Sequence, residues 1–100
     1  MRHFYIHLVL LTAVLLTSCK SSPDVIVVDS TGTPIVGAEI EPMTASLNLK
    51  PVLTDSHGEA RIGDRGVQEV QWINVQKAGF ASQLSIDYTK PKPIRIVLTP

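Results

Sequence analysis

Two patterns of apolar and polar residues divide the chain. Over residues 4–16 the side chains are apolar almost without a break, interrupted only by His7 and Thr12. From Val25 onward the repeat is two. Ala38 and Ile40 alternate with Glu39 and Glu41, Ala60 and Ile62 with Glu59 and Arg61, and Ile94, Ile96 and Leu98 with Arg95 and Val97. A period of two puts alternate side chains on opposite faces of a strand, one face buried and one wet. No window carries the 3.6-residue repeat of an amphipathic helix. The alternation predicts strands over 25–29, 35–42, 47–49, 59–62, 69–77, 80–87 and 94–98.

Turn chemistry separates these runs. Asp29-Ser30-Thr31-Gly32 and Asp55-Ser56-His57-Gly58 each place Asp first and Gly fourth, which suits a type I reversal followed by a glycine that can take positive φ. Pro42, Pro51, Pro91 and Pro93 have no amide hydrogen for a ladder and are expected at edges and boundaries. Seven short strands at this spacing indicate a single all-β domain, a sandwich or barrel, over 25–100.

The apolar run of 4–16 is short of the roughly 20 residues a bilayer span needs and suits the apolar region of an export signal, with Arg2 as its positive start. It ends in Leu16-Thr17-Ser18-Cys19, which resembles the lipobox of bacterial lipoproteins: an aliphatic residue, two small residues and a cysteine. The resemblance implies cleavage between Ser18 and Cys19, so that 1–18 is a lipoprotein signal peptide, and acylation of the Cys19 thiol by diacylglycerol. Residues 19–24 would then be the lipidated cysteine and a short tether. Two or three acyl chains, at roughly 0.8 kcal/mol per buried CH₂, hold a protein stably on a membrane. Lys20 follows the cysteine where, in the sorting rules of some Gram-negative bacteria, an aspartate means retention in the inner membrane; the implied destination is the outer membrane, facing the periplasm or the cell surface.

Within the all-β region the chain resembles the carboxypeptidase regulatory-like domain, a transthyretin-like β-sandwich. The likeness runs through Val27-Val28-Asp29-Ser30-Thr31-Gly32-Thr33-Pro34-Ile35-Val36-Gly37-Ala38-Glu39-Ile40, then Thr54-Asp55-Ser56-His57-Gly58-Glu59-Ala60-Arg61-Ile62, then Ile73-Asn74-Val75-Gln76-Lys77-Ala78-Gly79-Phe80, and then Ile94-Arg95-Ile96-Val97-Leu98. It implies a single seven-stranded antiparallel Greek-key sandwich. On that pattern Gly37-Ala38 allows close packing, Thr54-Asp55 opens a hairpin, and Gly79-Phe80 turns the chain while delivering a ring to the core.

Composition narrows the function. Nine basic and nine acidic side chains give a formal net charge of zero, so there is no strong field to attract a phosphate backbone, and nucleic acid is not expected as a partner. Cys19 is the single cysteine, which excludes an intramolecular disulfide. The transthyretin-related hydroxyisourate hydrolases end in Tyr-Arg-Gly-Ser, whereas this chain ends Ile96-Val97-Leu98-Thr99-Pro100; a hydrolase of that type is a remote alternative. The iron site of the related intradiol dioxygenases needs two tyrosines and two histidines, and beyond residue 18 there are only Tyr88 and His57. His57 falls in a turn, without a partner for acid-base work. Asp29 and Asp55 read as turn caps rather than calcium ligands. No cofactor or metal site is expected.

Trp72 is the residue that invites a ligand. The family pattern implies that Ile73 and Val75 are buried, which turns Trp72 outward together with Val70 and Asn74, and an outward aromatic ring can be a platform for a sugar or an anchor for a partner. Tyr88 is a weaker candidate of the same kind. The sequence thus points to a membrane-anchored, non-enzymatic lipoprotein acting as an interaction or structural module at the cell envelope, bound there to an envelope protein or a glycan. The alternative is a carbohydrate-binding module using Trp72 and Tyr88.

Overall fold

A computed structural model of the chain describes residues 22–63 and 69–100. The apolar leader, the Ser18–Cys19 junction and Lys20 lie outside those residues. Among the described residues there is no helix, and the seven strands are β1 (Val25–Val28), β2 (Glu39–Met43), β3 (Val52–Leu53), β4 (Glu59–Ala60), β5 (Trp72–Gln76), β6 (Gln83–Asp87) and β7 (Ile94–Val97). They form a three-stranded sheet in the order β4-β1-β7 and a four-stranded sheet in the order β3-β2-β5-β6.

The two sheets share one core, a sandwich-like arrangement. Val25 and Val27 of β1 with Ile94 and Ile96 of β7 belong to the same hydrophobic cluster as Ile40 of β2 and Ile73 and Val75 of β5. The alternating positions that the sequence marked as buried, Ala38, Ile40, Ala60, Ile62, Ile94, Ile96 and Leu98, are all buried. Each fully buried Ile or Leu contributes roughly 1.5–3 kcal/mol relative to an exposed one.

The sandwich is not wholly antiparallel. β1 pairs with β4 antiparallel but with β7 parallel, in the register Val25↔Ile94 through Val28↔Val97. A parallel pair cannot be joined by a tight hairpin and needs a long crossover. Here the crossover is the whole of the chain between the two strands, so the first and last strands lie side by side.

Three further expectations are corrected. The strand expected at 47–49 is a loop tied back by a single bridge, Met43↔Asn48, and the pairing strand is β3, whose Val52 and Leu53 face Ile40 and Glu39. Pro42, expected at a boundary, is buried within β2 opposite Ile73. Its carbonyl accepts the Leu49 amide at 2.8 Å, so its own nitrogen faces the same side, beyond the last β2–β3 register pair, and no ladder bond is lost. Val70, expected on the wet face with Trp72, is buried. It precedes β5, where Gln71 donates to the Met43 carbonyl and accepts from the Tyr88 amide, so strand parity does not extend back to it.

Candidate functional site

The two Asp-to-Gly reversals are built alike. In the first, Asp29 Oδ1 accepts from the Thr31 hydroxyl at 2.7 Å and from the amides of Thr31 and Thr33, while the Gly32 amide closes on the Asp29 carbonyl. In the second, Asp55 Oδ1 accepts the amides of His57 at 2.8 Å and Glu59 at 3.0 Å. The bonds from the Thr31 hydroxyl and the Thr33 amide hold the Asp29 carboxyl below the usual range, and those from Glu59 and His57 do the same for Asp55. Both acids serve as turn caps through Oδ1, and His57 is an exposed turn residue whose amide donates to Asp55. Among the described residues no three His, Cys, Asp or Glu side chains come together to hold a metal ion.

The aromatic candidates lie at the other end of the sandwich, where the chain enters β1. Asp24 fixes that entrance: its amide donates to the Ala60 carbonyl, its carbonyl accepts from Ile94, and its Oδ2 accepts the amides of Ile62 at 2.7 Å and Gly63 at 3.0 Å. The Tyr88 hydroxyl also donates to the Asp24 carboxylate. Tyr88 follows β6, its amide bonds the Gln71 carbonyl, and its ring packs against the core. Lys92 lies 4.0 Å from the centre of that ring and donates to the carbonyls of Tyr88 and Lys90. Burial, followed by the adjacent Asp24 charge, pushes the phenol up to about 12.

Trp72 begins β5 on the outer face of the four-stranded sheet and is 39% exposed. Its cross-strand neighbours are Met43 on β2 and Asp87 on β6. Beside it Asn74 links three strands: Nδ2 donates to Glu41 Oε1 at 3.2 Å and lies 3.5 Å from Met43 Sδ, while Oδ1 accepts the Ser85 amide at 2.8 Å. That last bond supports the bulge in the β5–β6 ladder, where Ser85 takes a positive φ of 55°. Trp72 and Tyr88 therefore share an end of the molecule but not a face. Trp72 is outward; Tyr88 is turned to the core.

At the far end, an open depression of about 470 Å³ is lined by Glu39, Leu53, Lys77 and Phe80 among others. Its polar lining brings the Glu39 carboxylate, the Lys77 ammonium and the Ser82 hydroxyl around one opening.

Thr54 is a residue the sequence undervalued. It is buried, its hydroxyl donates to the Ile35 carbonyl at 2.6 Å and accepts the Ala38 amide at 2.8 Å, and its backbone exchanges bonds with Gly37 and Ala38. It fastens the segment leading into β2 rather than any ligand site. Ser18 and Cys19, the proposed processing and acylation residues, lie outside the described residues. No helix among the described residues is long and apolar enough to cross a membrane. Comparison with known proteins finds no matching family model, no matching curated protein and no matching solved structure.

Proposed function

We propose that the chain is a membrane-anchored, non-enzymatic lipoprotein whose β domain serves as an interaction or structural module at the bacterial cell envelope. The observation that carries this reading is Leu16-Thr17-Ser18-Cys19 standing at the end of the apolar run of 4–16, with no other cysteine in the chain. Cleavage after Ser18 leaves Cys19 as the acylated first residue, and Lys20 favours the outer membrane. The same reading takes the domain as a relative of the carboxypeptidase regulatory-like group with Greek-key connections. It is supported by the two Asp-capped reversals and by the Thr54 clasp, which give the quoted motif residues defined structural work. The test is metabolic labelling with palmitate. Label is expected in the native chain and absent from Cys19→Ser, and a native chain without label overturns the anchor.

A second reading, a carbohydrate-binding module, is favoured by the outward Trp72 ring beside the Asn74–Glu41 hydrogen bond. A sugar stacks its apolar face on such a ring and bonds its hydroxyls to flanking polar groups. Tyr88, with its hydroxyl already committed to Asp24, is the lesser member of this pair. Trp72→Ala is expected to abolish retention on immobilised glycans with an unchanged melting temperature; undiminished retention rejects it.

A further inference from the structure

The position of Asp24 at one end of the sandwich decides what that end faces. Four hydrogen bonds involving its amide, carbonyl and Oδ2 hold it to Ala60, Ile94, Ile62 and Gly63, so the point at which the chain leaves the domain is fixed rather than free to swivel. From Cys19 to Asp24 is five residues of chain, at most ~18 Å when fully extended at about 3.5 Å each. Acyl chains on Cys19 would therefore bring this end, and no other, against the bilayer surface.

The side chains gathered there suit such a surface. The sole tryptophan, Trp72, is 39% exposed, and Leu47 in the loop after β2 is 55% exposed. Both belong to this end because Met43 pairs with Trp72, and the Thr44 that follows it bonds the Leu47 carbonyl. Two lysines belong to the same end, Lys92 over the Tyr88 ring that follows β6 and the exposed Lys90. An exposed Trp ring beside lysines is the kind of side chain that settles at headgroup level, with its apolar body toward the acyl chains and the charged heads in water. The far end carries the two Asp-to-Gly reversals, and the near end holds a third capped acid, Asp87 opposite Trp72, whose Oδ1 accepts from the Thr89 amide and hydroxyl.

We propose that the end of the sandwich bearing Trp72, Leu47 and Lys90 is a membrane-contact face, with Trp72 and Leu47 seated in the phospholipid interface. This rests on Cys19 being acylated as proposed above. The orientation it fixes leaves the Asp29 and Asp55 reversals and the depression near Lys77 pointing away from the membrane, available to partners.

Trp72 supplies its own reporter. The lipidated full chain is placed on phosphatidylcholine vesicles, free of glycan, with and without brominated acyl chains, and flotation is measured alongside tryptophan emission. A ring seated ~5–10 Å into the boundary comes within reach of the bromines, so emission is expected to fall roughly twofold. A companion chain with Trp72→Phe and Leu84→Trp moves the reporter to an exposed position on β6 and is expected to float without quenching. Chains that float with Trp72 unquenched, or with both reporters quenched alike, overturn the contact face while leaving the anchor intact. Chains that do not float overturn the anchor and the contact face with it.

Discussion

A buried hydroxyl is stable only if both its hydrogen and its lone pairs find partners, and Thr54 meets that condition with groups 19 and 16 residues away, the Ile35 carbonyl and the Ala38 amide. Thr54→Val keeps the shape and strands both partners in an apolar setting. A loss of about 2–3 kcal/mol is expected, since an unsatisfied buried polar group costs ~1–3 kcal/mol. In a domain of this size that lowers the melting temperature by roughly 10–20 °C, whereas Thr54→Ser should melt close to the native chain. A thermal melt followed by circular dichroism separates the two. In the sequence Thr54 read only as the opening of a hairpin. Threonine is at home both in and out of water, and nothing local announces partners so far along the chain. Trp72 was legible, because the resemblance buries Ile73 and Val75 and alternation along the strand then sends it outward. Tyr88 was not, because it lies past the end of β6, where the partner that turns it inward is Asp24, far off in sequence.

At the scale of the element, turns and alternation were read more faithfully than strand ends. Both Asp-to-Gly reversals form where composition put them, and Gly58 shows why its residue type is required. It has a φ of +72°, and a Cβ there would drive into the Val27 carbonyl and lie 3.1 Å from Pro34 Cβ. Gly79 also has positive φ, at +89°, but open space around it. Gly58→Ala should therefore cost about 2–4 kcal/mol, conformational strain plus a backbone clash, and Gly79→Ala only about 1 kcal/mol. Paired urea melts would check this, and equal losses would mean that crowding against β1 is not the cause. Where reading failed, competition among partners decided. Leu47 and Leu49 carry a strand-like alternation, yet Val52 and Leu53 take the place beside Ile40 and Glu39, and the earlier pair is left in a loop. Local pattern shows what can be a strand. It does not show which of two neighbouring runs wins the edge.

For the molecule as a whole, capped carboxylates and the Tyr88 phenol shape the pH range of stability. Asp29, Asp55 and Asp87 are held low, Asp87 chiefly by the Thr89 hydroxyl and then the Thr89 amide. Groups lowered on folding stabilise above their unfolded value, near ~3.9, and lose that contribution as the pH falls through the folded one. Tyr88 works in the opposite sense: raised from 10.0 to about 12, it stabilises below its unfolded value and loses that contribution as the pH climbs through the folded one. Melting temperature should thus fall below pH ~4 and again above pH ~10. In a Tyr5→Phe chain, where Tyr88 is the only tyrosine left, tyrosinate absorbance should rise with a midpoint near 12, and Asp24→Asn should bring that midpoint down. The pairing of β1 with β7 bears on mechanics as well. The two strands run the same way over four matched residues, Val25↔Ile94 to Val28↔Val97. A pull on the backbone ahead of Val25 against one beyond Val97 therefore slides one strand along the other. The rungs between them share that load and must rupture together, instead of opening one after another like a zip.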